Sequence, residues 1–419
     1  VSSPTLRGID PPFHHLRLHL DEPVVGDVAA AVDAELEASG VTLPAGGEVA
    51  IAVGSRGITD LVVVVERVAA WVRAQQATPF LVPAMGSHAG ATAEGQRRML
   101  ESYGLALPGL EIRSDMAVVE LEQRGCPVPV ATDAAAWSAA ATVVVNRVKP
   151  HTDFHGAYES GLVKMLAIGL GKRVQAERIH ALGTAGLRSL LAPVAAEVLA
   201  QGKVVLGVAV VEGAGEQTIA VRALPADRIL TDEPALLELA RSHLPRLPVD
   251  DLDVLLVDRM GKDVSGVGMD TNVIGRLMIA GEPDPPAPRI SMIACHALTE
   301  ASHGNATGMG LADVVTRRFA EAVDHDVTRT NIVTSGFLLR GKLPVVADDD
   351  RHAWELCLRG AGVTGASAVR AARIVDTRSC AEVWVTDAVL AELAGRARVE
   401  VVARGLALHR PDGSLAPFA

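Results

Sequence analysis

Four histidines of this 419-residue chain sit in or just after glycine-rich connections. His88 lies in PAMGSHAGAT, His151 and His155 lie in NRVKPHTDFHG, and His180 ends GKRVQAERIH. Imidazole titrates near neutral pH, so it can take and return protons or bind a metal as a neutral ligand. Each histidine taken alone reads more readily as a hydrogen-bonded structural residue; their shared placement after strand-like runs is what favours a functional group. Lys164, in ESGLVKMLAIGLGK, is a lysine set among apolar residues. Loss of water lowers an ammonium's pKa and makes the amine a nucleophile or a covalent tether, although a snorkelling helix lysine fits the same pattern. Lys172 and Arg173 read as solvated charges without a role. Ser55 and Arg56, in VGSRGITD, precede a helix for which Thr59 is the expected cap. With the backbone of Gly54 and Gly57 they form a pocket suited to phosphate or carboxylate, the alternative being an ordinary strand-to-helix turn.

Familiar catalytic templates fit poorly. His151 and His155 are spaced as HTDFH, without the glutamate of H-E-x-x-H, and Pro150 and Gly156 argue against a regular helix there. There is no G-x-S-x-G, no Walker loop and no G-x-G-x-x-G after the first strand. A later run, GKDVSGVGMD, offers Lys262, Asp263, Ser265 and Asp270, and reads either as a site lining or as a turn built from glycines.

The elements that must hold these groups alternate: short β-branched apolar runs, then longer helix-like segments, the pattern of an α/β protein with mainly parallel sheets. Strands are expected at 49–53, 80–83, 142–145 and 204–211. Helices are expected over 60–76, after Thr92 as cap with Glu94 in the first turn and Gly104 as stop, and over 187–201. Proline-punctuated RSHLPRLPVDD marks a seam between Pro225 and Asp253. Two α/β domains follow, residues 1–245 carrying the histidines and Lys164, and residues 246–419 closing an active-site cleft between them. The second is expected to hold strands at 254–258, 290–295 and 372–375 and helices near 311–323, 351–359 and 387–393. Loops after the carboxyl ends of such strands converge on one rim, where histidines from separate loops would meet.

Composition narrows the partners. Asp and Glu outnumber Lys and Arg by 50 to 39, a net charge of -11 that repels nucleic acid and anionic membranes. Aromatics are 3%, too few for a base-stacking platform. Cys126, Cys295, Cys357 and Cys380 are scattered, as expected of reduced thiols in the cytoplasm. No apolar run reaches the ~18 to 20 residues of a membrane helix, and no basic-then-apolar leader opens the chain. A soluble cytoplasmic protein is the expectation.

Taken in order, GSRG, MGSHAGAT, KPHTDFHGAYESGLVK and a histidine sixteen positions after Lys164 resemble the nickel-dependent lactate racemase family and its wider group of 2-hydroxyacid racemases and epimerases. They match that family's T-R-P type turn, its G-T-H-R-P-x-T loop, its P-H...S-G-G-x-K segment and its metal-binding histidine, over the first half of the chain. The resemblance implies the nickel-pincer nucleotide, pyridinium-3-thioamide-5-thiocarboxylic acid mononucleotide with Ni, as cofactor. Lys164 would tether it, Ser55 and Ser160 would bind it, and His180 would ligate the nickel. His88 and His151 would be the acid/base pair, one on each face of the substrate, and Arg56 would hold the substrate carboxylate. The implied reaction inverts a 2-hydroxy acid through a 2-keto acid, by proton and hydride abstraction. Cofactor-biosynthesis enzymes are the implied partners, and a homo-oligomer is compatible with the family.

The chain departs from the family at several positions. Gly161-Leu162 replaces the glycine pair, and the stretch from His151 to Lys164 is a few residues longer, leaving His155 as an extra candidate base. Ala89-Gly90 replaces the Arg-Pro after the first catalytic histidine. The second-domain substrate lysine has no clear counterpart, with Lys262 or Arg276 as candidates. A different 2-hydroxy acid, or a sugar acid, is therefore as well supported as lactate. Two other readings stand beside this one: a zinc- or nickel-dependent hydrolase with His88, His151, His155 and His180 as ligands, and a noncatalytic protein binding an anionic metabolite at Arg56.

Overall fold

The computed structural model describes residues 9–54 and 57–418, and the chain divides into two compact units. Among the described residues, one comprises 22–54 and 57–243; the other joins 9–21 to 244–418. Both are α/β with mainly parallel sheets. The expected first domain of 1–245 is thus corrected at its start. Strand β1 (Phe13–Leu18) pairs antiparallel with two strands near the end of the chain. Its sequence FHHLRL lacks clean alternation because two buried positions are histidines, hydrogen-bonded to acids remote in sequence: His14 to Asp387 at 2.7 Å and His15 to Glu382 at 2.5 Å.

The unit of residues 22–243 runs α1 (Val28–Ala38), β2 (Glu48–Val53), α2 (Leu61–Ala74), β3 (Thr78–Pro83), α3 (Ala93–Ser102), β4 (Val118–Glu120), β5 (Ala131–Asp133), α4 (Ala134–Ser138) and β6 (Ala141–Arg147). It continues with α5 (Leu162–Lys164), a π-helical turn Met165–Gly169, α6 (Lys172–His180), α7 (Gly183–Ala200), β7 (Val204–Glu212), β8 (Thr218–Pro225) and α8 (Ile229–Ser242). The main sheet is ordered β3-β2-β6-β7-β8, parallel except for β8. Alternate residues of β2 enter separate cores, Ala50 and Ala52 on one face and Val49, Ile51 and Val53 on the other. Burial on both faces explains why these strands read as continuous apolar runs.

Thr92 caps α3 as expected, accepting the Gly95 amide at 3.1 Å, and Gly104 turns the chain at φ +83°. Thr59 does not cap α2; its hydroxyl donates to Glu216 O, and Asp60 precedes the helix. The boundary between the units, at 243/244, falls inside the stretch expected to contain the seam, directly after α8.

The other unit holds β9 (Asp251–Val257), α9 (Thr271–Ile274), β10 (Arg289–Cys295), β11 (Val314–Thr316), α10 (Arg317–Glu321), α11 (His325–Ser335), β12 (Val345–Ala347), α12 (Asp350–Gly360), β13 (Ala371–Ile374), β14 (Glu382–Thr386), α13 (Asp387–Glu392) and β15 (Val399–Leu406). Its eight-stranded sheet is ordered β12-β11-β10-β9-β13-β14-β1-β15. The helix expected over 311–323 is instead a strand and a short helix: Val314 and Val315 pair in the sheet, and Thr316 caps α10 by accepting the Phe319 amide. The four cysteines are unpaired, three of them buried. Among the described residues no helix is long and apolar enough to cross a membrane.

Candidate active site

Strands β3, β2 and β6 are adjacent and parallel, so the loops that follow them leave the same rim. Those loops carry His88, the Ser55-Arg56 pair and His151. Ser55 and Arg56 lie outside the described residues. Beside them, a Cβ on Gly54 would stand 2.4 Å from Asn146 Oδ1 and 3.0 Å from Met165 Sδ, so only glycine lets the end of β2 pass β6 and the π turn. Glu212 anchors the far side of this loop by accepting the Thr59 amide at 2.7 Å, and it also pairs with Arg147.

The loop of His151 is folded around Glu159, a buried carboxylate. Glu159 accepts the His151 amide at 2.6 Å, the Gly156 amide at 3.0 Å and Arg241 at 2.5 Å, with His155 Nδ1 at 3.3 Å. Burial alone would raise its pKa; the bonds from His155, the two amides and Arg241 outweigh that and hold it below the ordinary glutamate value. His155 therefore belongs to the frame of the loop, with its carbonyl held by Arg188 at 3.1 Å. Ser160 closes the loop through its backbone, bridged to Lys149.

His151 meets Lys164. Its Nε2 lies 2.6 Å from Lys164 Nζ, while its Nδ1 accepts the Asp153 amide at 3.1 Å. An ammonium donates to an imidazole nitrogen and an uncharged amine accepts from one, so this contact links the protonation of the two side chains. Lys164 is half-buried on α5, followed directly by the π turn, a helix irregularity that often marks functional sites.

The turn carrying Lys164 is held by groups from elsewhere. Asn146 Nδ2 donates to Gly161 O at 3.1 Å, and Glu233 of α8 accepts the Val163 amide at 2.9 Å. His180 ends α6. It is solvent-accessible, yet the atoms crowded round it hold its pKa below the usual value, by desolvation first and then by the charge Lys164 carries when protonated, against an opposing pull from Asp153. His151, Lys164 and His180 are thus brought into one neighbourhood.

His88 is exposed at the head of an unusual turn, in which Ala89, Gly90 and Ala91 have φ of 53°, 70° and 53°. Left-handed backbone at alanine is strained, and strain of this kind gathers at functional loops. The loop is fastened from below. Buried Gln96 donates to Gly86 O at 3.0 Å, and the Gly86 amide donates to Gly169 O at 3.1 Å. Lys172 is the clearest departure from the sequence reading. Far from being solvated, it is 0% exposed, with Nζ 2.6 Å from Pro83 O and 2.7 Å from Asp133 Oδ2. Its own φ of +53° turns it inward; burial lowers its pKa, with Asp133 and Asp115 opposing.

In the other unit, Lys262 is folded into its own loop, donating to Gly266 O at 2.7 Å and Asn331 Oδ1 at 3.0 Å. Asp263 accepts from Thr299, and Ser265 sits in a tight turn on Gly261. Arg276 bonds Leu311 O, Asp313 and Ile290 O, which places it by the amino ends of β10 and β11, opposite the rim where ligands bind such sheets. Among the described residues no three His, Cys, Asp or Glu side chains converge as a metal site.

No protein-family profile matches the chain, and no curated protein matches it. Among solved structures it is similar to the lactate racemase apoprotein from Thermoanaerobacterium thermosaccharolyticum, with a TM-score of 0.53 at 10% identity, over 88% of this chain and 99% of that one. The chain has a lactate racemase-like α/β fold. A Thermotoga maritima protein from structural genomics is also similar, with a TM-score of 0.44 at 12% identity, over 67% of this chain and 72% of that one. At such identities the likeness is one of fold. The residues that sequence reasoning missed are Glu159, Glu233, Gln96 and the Lys172–Asp133 pair. Glu233 and Lys172 act on backbone groups 70 and 89 positions away, whereas Glu159 and Gln96 act on groups within ten, at spacings that match no familiar motif.

Proposed function

We propose that this chain is a cytoplasmic racemase or epimerase of a 2-hydroxy acid that works with a nickel-pincer nucleotide supplied by cofactor-biosynthesis enzymes. The observation that carries the reading is the Lys164–His151 contact of 2.6 Å, with His180 ending the helix that follows the Lys164 turn. The residues fit the group: a half-buried amine held against an imidazole suits a covalent tether, and an imidazole whose pKa is lowered by burial suits nickel. When bound, the cofactor would supply the hydride chemistry at the α-carbon.

The chain's own part is proton transfer and orientation. His151, steered by the Asp153 amide and the Glu159 frame, would present Nε2 to the substrate hydroxyl once the amine is occupied by its tether. His88, at the head of its strained turn, would serve the opposite face. The substrate carboxylate would need a cation at the rim of β2, the role read for Arg56.

Intact mass and metal analysis after co-expression with cofactor-making enzymes test this. A nucleotide-sized adduct and nickel, both lost in Lys164→Ala, are expected, together with racemisation of at least one single-enantiomer hydroxy acid in a panel. Bound zinc without an adduct would favour a hydrolase, and neither metal nor adduct would favour an anion-binding protein. Racemisation unchanged in His88→Ala would remove that residue from the acid/base pair.

A further inference from the structure

We propose that Glu233 is the positioning residue for Lys164, acting through the amides of the helical turn that presents it. The proposal rests on the reading of Lys164 as the reactive amine. The turn begins after Gly161, which has no side chain to cap it. The first amides of a helix lack internal partners and are ordinarily met by a Ser, Thr, Asp or Asn side chain at this position. No such side chain fits here, because a Cβ on Gly161 would lie 2.5 Å from Glu233 Oε1 and 2.6 Å from its Cδ. Glu233 reaches in from α8 instead and takes the cap's place, its Oε2 2.9 Å from the Val163 nitrogen and its carboxyl also accepting the Leu162 amide. Lys164 is the next residue. A displacement of the Val163 amide passes directly to the backbone that aims Lys164 Nζ at His151 Nε2.

Glu233 is fully enclosed, and among the described residues no cation pairs with it. Tyr158 is the titratable side chain that feels its charge; the phenol donates to Leu230 O at 2.6 Å, and its pKa is raised by burial first and then by Glu233. Burial pushes the Glu233 carboxyl up to about 7, with the two amides pulling the other way. The cap is therefore charged above neutrality and uncharged below it. A carboxylate binds amides more strongly than a neutral carboxyl does, so the hold on the Lys164 turn tightens as pH rises.

Competitive labelling with acetic anhydride, read by peptide mass spectrometry, tests this on the intact apo-protein, with exposed Lys342 as internal reference. A protonated glutamate and a glutamine are near equivalents. Wild type and Glu233→Gln should therefore label Lys164 alike at about pH 5.5 and diverge several-fold at about pH 8.5, with the change centred near neutrality. Glu233→Ala should differ from wild type throughout; if it does not fold, the Gln variant, of closely similar volume, still decides. A wild-type to Gln ratio that is flat across this range overturns the proposal. The two readings fail separately: a pH-dependent ratio in a protein that never acquires an adduct on Lys164 keeps the positioning role and removes the racemase reading, while an adduct with a flat ratio does the reverse.

Discussion

Replacing Lys172 by methionine tests how the loop of His88 and the helix of His180 are joined. Lys172 is the first residue of α6, and its ammonium binds Pro83 O, where β3 ends ahead of His88. Lys172 and Asp133 are 0% and 1% exposed in their side chains, so removing the cation strands a buried carboxylate. Breaking such a pair from one side costs about 3–5 kcal/mol. Asp133 Oδ1 would keep the Ala136 amide at 2.8 Å, which argues for the lower end, about 3 kcal/mol. The stranded carboxylate is more stable protonated, so the loss should be smallest in acid and grow as pH rises. Urea unfolding of wild type, Lys172→Met and the double variant Lys172→Met with Asp133→Asn, at about pH 5 and pH 8, measures this. The double variant should recover more than half of the loss, because asparagine keeps the cap without the charge. A single-variant cost below about 1 kcal/mol at pH 8, the scale of a surface ion pair, would refute the reasoning, as would a cost independent of pH.

Three further outcomes are expected. Glu233 moves from 4.5, the ordinary glutamate value, to about 7 in the fold, so its penalty is absent below 4.5, grows as pH rises to about 7, and then levels at about 3 kcal/mol. Glu233→Gln should remove that slope from wild-type stability between pH 5 and 8, and an unchanged slope in urea melts would contradict it. Ala91→Gly should raise unfolding stability by about 0.5–1 kcal/mol by relieving left-handed backbone, with φ at +53°, and a thermal melt that falls instead would show that the turn is not strained. Glu159→Gln should loosen the His151 loop, lowering the turnover of cofactor-loaded enzyme more than its melting temperature; equal losses in both would make Glu159 a stability residue only.

Much of the fold was legible because its central strands are buried on both faces. Runs such as 49–53 and 204–211 can hardly be anything else in an α/β chain, and Thr92 and Gly104 bound α3 by local chemistry alone. Strand β1 and strand β11 were not legible. The first hides its pattern behind two histidines whose acids arrive from residues 382 and 387, and the second is too short for periodicity to separate it from the helix that follows.

The same division runs through the candidate site. The sequence by itself determined which residue types could do chemistry and that they follow parallel strands, since the order of His88, His151, Lys164 and His180 is a local property of loops and spacing. Only the tertiary structure decided what each of them experiences. Lys164 and Lys172 lie eight positions apart in one glycine-rich stretch. One is placed against an imidazole at the rim, and the other is turned inward by a left-handed backbone onto Asp133 and Pro83. Likewise Glu233, seventy residues from Val163, caps a turn whose own first residue has no room for a side chain. Protonation, burial and aim depend on atoms brought together across the chain, and spacing along it carries no record of them.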